Sequence, residues 1–304
     1  RLVGSEMCIR DRFITYPELL TKVGYSVGFT GKAWSPGRLE AGGRNSNPLG
    51  LEFHKRRLVP PFKGMRHLDY AANFDDFLKQ VKEGQPFCFW LGTSEPHRGY
   101  ERGAGKRSGK DPSKVIVPRI FPDNSIVRND ILDYYIEVEH FDKMVALAIG
   151  SLERMGHLDN TILVITSDHG MPFPRAKASL YDAGTHVPLA IRWPDGIRKP
   201  GRVSESLVNL SDLSPTFLEA AGISVPKMMI GKALTDIFKD QNKFNRDAAF
   251  IGMERHAGCR EGGKGYPSRA IRTKDYLYVR NFYPDRWPAG SPERKHCVRH
   301  IRYG

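Results

Sequence analysis

The 304 residues contain no apolar run near the roughly 18 that a membrane helix requires. Stretches such as Val115 to Val117 and Thr161 to Ile165 end after a few positions, so the sequence predicts no spanning helix. Cysteine is scarce. Cys8, Cys88, Cys259 and Cys297 lie far apart with no C-x-x-C pair, which excludes a cysteine-built zinc site and gives no disulfide framework; the redox compartment stays open. Acidic residues are also in short supply, 34 against 47 Lys and Arg, for a net charge of +13. The imbalance is steepest from Pro226 to Gly304, with 17 basic and 8 acidic residues. It favours an anionic partner, which is a nucleic acid, an acidic membrane or a sulfated or phosphorylated substrate, unless the charge is only a solvated surface. Disorder is excluded by what is present. A composition 40% hydrophobic and 11% aromatic can bury a full core, as one large domain or one with an appendage.

The first twelve residues, Arg1 to Arg12, have neither the apolar segment nor the small-residue cleavage site of a signal peptide. They resemble a translated sequencing adapter, and the true beginning is expected to lie upstream. After them the chain alternates helix and strand. Pro17 starts a helix with Leu19, Leu20 and Val23 on one face and Gly24 as its stop, and Ser26 to Thr30 follows as a strand. A Gly-rich loop opens at Gly31. Phe74 to Lys82 reads as a helix, and Pro86 to Gly92 as a strand buried on both faces. Arg98 to Pro122 is polar and aperiodic and predicts a long loop. Ile131, Tyr135, Val138, Val145, Ile149 and Leu152 then mark a long helix, with Asp142 on its apolar stripe in a structural rather than catalytic role and Gly156 as its stop. Thr161 to Thr166 and Val187 to Trp193 are further strands, and Asp212 to Ala220 a capped helix. Beyond Gly222, Ala248 to Gly252, Ser268 to Arg272 and Asp275 to Arg280 have hairpin spacing. The expected fold is α/β, a mostly parallel sheet flanked by helices with a small antiparallel appendage at the carboxyl end.

In such folds sites gather at the carboxyl ends of strands. Asp168 and His169 follow the strand at Thr161 to Thr166, where they offer one hard oxygen and one imidazole to a divalent cation, or else simply cap the next loop. Lys32 and His97 also follow strands, and Lys177 comes nine residues after Asp168. Each alone reads as a surface lysine or a satisfied histidine. Together they describe a pocket for an oxyanion.

The segments GYSVGFTGKAWSPG, PFCFWLGTSEPHR, LERMGHLDNTILVITSDHGMPFPRAKASLYDAGTHVPLAIRWP and LVNLSDLSPTFLEAAGI, in this order, resemble the sulfatases of the alkaline-phosphatase-like superfamily over nearly Tyr16 to Gly222. GMPFPRAKASLY and IVPRIFPDN are most similar to the heparan N-sulfatase (sulfamidase) branch. The resemblance implies that Asp168 and His169 are the second pair of ligands to one Ca2+. It makes Lys32 and Lys177 sulfate-binding lysines, and His97 the histidine beside the leaving atom. Where many relatives carry His two residues after the first lysine this chain has Trp34, so protonation falls to His97. Glu254, Arg255 and His256 lie where the carboxy-terminal part of relatives reaches the substrate; Tyr266, Pro267 and Arg269 resemble the same region.

One departure stands out. Relatives convert the Cys or Ser of a C-x-P-S/A-R motif to formylglycine and complete the metal shell with two adjacent Asp. No cysteine here is followed by Pro two positions on, and the single Asp-Asp, Asp75-Asp76, falls in a helix as solvated charge. No nucleophile is therefore assigned, and the chain is expected to be an amino-terminally truncated fragment, inactive alone. Its expected divisions are 1–12 (artefact), 13–225 (catalytic) and 226–304 (carboxy-terminal subdomain). A sulfated carbohydrate is the expected substrate, with no nucleic acid or membrane partner, an undetermined oligomeric state and a periplasmic or secreted parent. The alternatives are a metal-dependent phosphatase or phosphodiesterase of the same superfamily, which would bind two ions through a second D-x-x-x-H cluster that is missing here, and a basic nucleic-acid-binding protein, for which no paired zinc ligands or RNP-like aromatics are present.

Overall fold

A computed structural model describes residues 13–34, 39, 43–239, 246–256 and 260–286. The adapter-like Arg1 to Arg12, Cys8, Cys259, Cys297, and Ser35 to Arg38 of the first loop lie outside the described residues. The chain forms two compact units, one of Leu20–Leu158, the other of the residues from Asp159 onward together with those up to Leu19.

Helix α1 (Tyr16–Lys22) runs across the boundary at Leu19–Leu20 and ends at Gly24, whose φ of 94° is the left-handed conformation that stops a helix; in the unit Leu20–Leu158 the sheet follows it. Strands β1 (Ser26–Gly31), β2 (Leu51–Glu52) and β3 (Phe87–Gly92) form a parallel sheet in the order β2-β1-β3. Helix α2 covers it, running from Tyr70 to Leu78 rather than over the expected Phe74 to Lys82. The earlier start comes from Asp69, whose carboxylate accepts from the Ala72 amide at 2.9 Å as an N-cap. The Asp-Asp pair does lie in this helix, with Asp76 bonded to Arg56 at 2.6 Å. Phe74 and Phe77 bring their rings to within 4.8 and 4.7 Å of Phe89, and a methyl on Gly28 would lie 2.8 Å from Phe77, so α2 sits directly on β1. Strand β3 is only half-buried, not covered on both faces; Trp90 is 45% exposed and donates from Nε1 to the Lys32 carbonyl at 3.0 Å.

The expected long loop is structured. Helix α3 (Ala104–Arg107) and a 3-10 turn at Pro112–Lys114 lie within it, held to the long helix α4 (Ser125–Arg154). Asp133 accepts from the Gly103 and Gly105 amides at 2.8 and 2.9 Å, and Arg128 donates to the carbonyls of Pro112, Ser113 and Val115. Helix α4 is also rotated from the expected stripe. Its buried face includes Val127, Ile131, Ile136, Met144 and Leu152 together with Asp133, Glu137 and His140, while Asp142 is exposed. Gly156 ends it as expected, with φ 72°.

From Asp159 onward, β4 (Leu163–Thr166) pairs antiparallel with β5 (Leu189–Arg192), so the strand expected at Val187 to Trp193 does not extend a parallel sheet. Helix α5 (Asp182–Thr185) lies between them, and α6 (Leu213–Ala220) follows a 3-10 turn at Leu210–Asp212. Asp212 is fully buried, bidentate to Arg246 at 2.5 and 2.9 Å, and accepts from the Asn209 and Lys232 amides. After α7 (Thr235–Phe238), β6 (Ala248–Met253), β7 (Ser268–Thr273) and β8 (Leu277–Asn281) make the expected antiparallel sheet, in order. The α/β class with a carboxy-terminal antiparallel sheet therefore holds. Among the described residues no helix is long and apolar enough to cross a membrane.

Candidate active site

Lys32 and His97 both follow the carboxyl ends of neighbouring parallel strands. The β1–β3 register pairs Gly31 with Gly92, and the Lys32 amide donates to the Gly92 carbonyl at 2.5 Å. Only glycine fits this approach, because a Cβ on Gly31 would lie 2.0 Å from the Gly92 oxygen and one on Gly92 2.0 Å from the Lys32 oxygen. Gly31 also takes φ 79°. A side chain that sequence reasoning missed supports the turn. His54 accepts the Gly31 amide at Nε2 (2.6 Å), which puts its proton on Nδ1, 3.1 Å from Glu52. Trp34 lies under the Arg44 guanidinium, 5.5 Å from its ring centre.

The loop after β3 carries His97 on a short turn, its amide donating to the Ser94 carbonyl at 2.9 Å. His97 is exposed, and its Nδ1 lies 3.0 Å from the Arg98 carbonyl. A carbonyl only accepts, so Nδ1 carries the proton and Nε2 is the nitrogen that exchanges one. Beneath the turn, Glu95 is 4% exposed and accepts from the Arg66 amide at 2.7 Å and the Tyr70 hydroxyl at 2.9 Å. Tyr70 in turn accepts the Ser94 amide at 2.9 Å. Burial, and next the Glu95 charge, raises the Tyr70 pKa well above the usual phenol range. Burial and then Glu95 also push Glu137 up to about 7, and burial lowers His140. Glu95 stands inside the quoted TSEPHR segment; nothing in the sequence marked Tyr70 or Glu137.

In the other unit, Asp168 and His169 follow β4 as expected. His169 Nδ1 lies 2.7 Å from the Gly170 carbonyl and so holds the proton, which leaves the lone pair on Nε2, 3.6 Å from Asp168 Oδ1. Asp168 is exposed. A carboxylate oxygen and an imidazole nitrogen this close could take two positions of a divalent shell but fall short of the six to eight oxygens of calcium. Among the described residues no group of three or more His, Cys, Asp or Glu could hold a metal ion. Lys177 sits in the loop that follows, its amide donating to the Met171 carbonyl at 3.1 Å. Nearby Arg175 and Ala178 both have φ 61°, a conformation uncommon outside glycine. The loop closes through the Gly170 amide on the Gly184 carbonyl, at 2.9 Å.

Glu254, just past β6, pairs with Arg269 on β7, whose guanidinium lies 5.8 Å from the Phe282 ring centre. Arg255 and His256 are exposed, and Tyr266 is buried under Arg260. A shallow hollow is lined by Pro267, Arg269, Phe282 and Tyr283. Thus Lys32 and His97 share one sheet edge, Asp168 adjoins His169, and Glu254 meets Arg269; the first pair belongs to one unit and the other residues to the second.

Among known proteins, human N-sulphoglucosamine sulphohydrolase is 28% identical over 301 residues, covering 89% of this chain and 57% of its own length. The chain thus spans little more than half of that relative. Two solved structures share the fold. One, in complex with its substrate D-glucosamine-2-N,6-O-disulfate, superposes with a TM-score of 0.64 at 18% identity, over 91% of this chain and 74% of that one. The other, a phosphonate monoester hydrolase from Silicibacter pomeroyi, gives 0.65 at 20% identity, over 88% and 71%. The family model for the carboxy-terminal part of N-sulphoglucosamine sulphohydrolase matches residues 171–288, and the sulfatase model matches residues 10–223, well over half of the sequence. The chain belongs to the sulfatase family.

Proposed function

We propose that this chain is part of a hydrolase that removes sulfate from a sulfated amino sugar. The carrying observation is the pair Lys32 and His97 at one sheet edge, with the exchangeable nitrogen of His97 defined by the Arg98 carbonyl. The similarity to human N-sulphoglucosamine sulphohydrolase and to the structure bound to a glucosamine disulfate supports the substrate class, and the net charge of +13 suits a polyanionic sugar.

The roles follow from chemistry. Lys32 and Lys177 are each suited, as point charges, to bind a sulfuryl oxygen, a well-placed donor contributing about 3 kcal/mol to the charge that develops there. His97 delivers a proton from Nε2 to the departing oxygen or nitrogen. Arg269, steadied by Glu254, together with Arg255 and His256, binds the sugar. One Ca2+, held by Asp168 and His169 with donors beyond the described residues, would neutralise charge on the sulfuryl group when bound. The nucleophile in this reading is a formylglycine, for which none of the cysteines in these 304 residues has the C-x-P-S/A-R context. Residues 13–225 form the catalytic part and 226–304 the carboxy-terminal subdomain.

The test is Asp168→Ala in the whole enzyme. Calcium-dependent hydrolysis of p-nitrophenyl sulfate should vanish, whereas undiminished turnover refutes the metal assignment. A second reading, a phosphoryl- or phosphonyl-hydrolase, is favoured only by the fold shared with the phosphonate monoester hydrolase. Faster turnover of a phenylphosphonate ester than of the aryl sulfate would select it.

A further inference from the structure

The turn bearing His97 is fixed from below by a chain of hydrogen bonds that begins in the core. Tyr70, the first residue of α2, has no exposed surface and packs with Leu68, Ala71 and Met144. Its hydroxyl accepts the Ser94 amide at 2.9 Å and donates to Glu95 at 2.9 Å, and Glu95 also takes the Arg66 amide at 2.7 Å. The Ser94 carbonyl receives the His97 amide, so the backbone of the histidine hangs from the residue that Tyr70 holds. Thr93 Oγ1 on the Glu95 carbonyl (2.8 Å) and the Tyr100 hydroxyl on the Pro96 carbonyl (3.1 Å) close the turn without reaching Ser94.

We infer that Tyr70 is a positioning residue for His97, acting through Ser94 and Glu95 to fix where the imidazole meets the leaving atom. The inference rests on His97 being the proton donor proposed above. A phenol is suited to the place because it gives one bond and accepts another at once. Its raised pKa keeps the proton on the oxygen, so the donor half of the relay persists over the whole working range. A phenylalanine would keep the ring in the core and remove both bonds, letting the turn shift. A displacement near 1 Å of a proton donor costs on the order of a hundredfold in rate, but only where protonation is needed.

Leaving-group dependence separates positioning from general damage. In the whole enzyme, Tyr70→Phe should lower kcat for N-sulfoglucosamine, whose amine must be protonated, by about tenfold or more. It should change kcat for p-nitrophenyl sulfate, whose phenolate leaves unaided, less than about twofold. The Ser94 and His97 amides should exchange faster in the 304-residue chain. Equal losses on both substrates, or none on either, overturn the inference if His97→Ala still discriminates between them. If His97→Ala itself fails to discriminate, the proton-donor assignment falls first. Should Tyr70→Phe not fold, Glu95→Gln carries the same test, since one amide oxygen cannot serve both the Arg66 amide and Tyr70.

Discussion

Where β1 and β3 end, two glycines decide what can follow. The Gly92 and Lys32 carbonyls occupy the space in which a Cβ on Gly31 and on Gly92 would lie, so the placement of Lys32 depends on residues without side chains. Gly92→Ala is the cleaner probe, because Gly92 lacks the positive φ that makes any substitution at Gly31 strained in its own right. The added methyl would meet the Lys32 carbonyl at 2.0 Å, and neither backbone segment can move without parting the strands. Overpacking of this kind typically costs about 1–3 kcal/mol. Thermal unfolding should register that loss, and sulfate release by the whole enzyme should fall further than the stability loss alone explains, since Lys32 moves. A variant with normal melting and normal rates would mean that the strand ends are looser than their contacts imply. The same scale shows what could be read from sequence. The placement of Asp168, His169, Lys32 and His97 after strands was legible because each follows an apolar run and stands in a family order. His54, Tyr70 and Glu95 were not, because a supporting residue is defined by what it touches, and those contacts span 23 to 29 positions.

Elements were legible wherever hydrophobic period and punctuation agreed. Helix α1 with Gly24, the strand pair β1 and β3, and the three-stranded sheet β6–β8 all lie where the pattern put them. Two failures, the inner face of α4 and the segment that crosses it, share a cause, which is polar side chains spent inside. Helix α4 was set with Tyr135 and Asp142 on its inner face, yet Asp133, Glu137 and His140 are buried instead, and of these Asp133 serves the polar backbone of the segment that crosses the helix. That segment, Arg98 to Pro122, read as aperiodic because its order is imposed from α4. Arg98 is bonded to Asp130, and Asp133, 5% exposed, receives the two amides that open α3. Asp133→Ala would leave the buried Gly105 amide without its acceptor. Hydrogen bonds to a charged group contribute about 1.5–3 kcal/mol each. Trypsin should then cut at Arg107 and Lys110 many-fold faster than in the parent chain, ahead of global unfolding. Unchanged cleavage would show that the other ties to α4, through Arg128, Arg98 and Lys110, hold the segment without Asp133.

At the scale of the whole molecule, the acidic residues matter more than their scarcity suggests, because several are buried and one holds its proton to well above the usual carboxylate range. Glu137 is 3% exposed, and desolvation followed by the charge of Glu95 pushes it up to about 7, from an ordinary value of 4.5. The sign follows from proton counting. Between about pH 4.5 and 7 the unfolded chain has lost this proton while the folded chain keeps it, so the folded state binds more protons and stability falls as pH rises through that window. Below it both states are protonated and the group contributes no slope; above it both are ionised and the full cost of a buried charge remains. At about 1.4 kcal/mol per pK unit, the difference approaches roughly 3 kcal/mol at most. Glu137→Gln keeps the shape and abolishes the titration. Urea unfolding from pH 4 to 8, followed by an aromatic signal from Leu20–Leu158 such as Trp90, should show the parent losing stability toward pH 8. The variant should run flatter and overtake it above neutrality. Parallel curves would mean that Glu137 ionises in the folded chain as it does in the unfolded one, so that burial in α4 does not hold its proton.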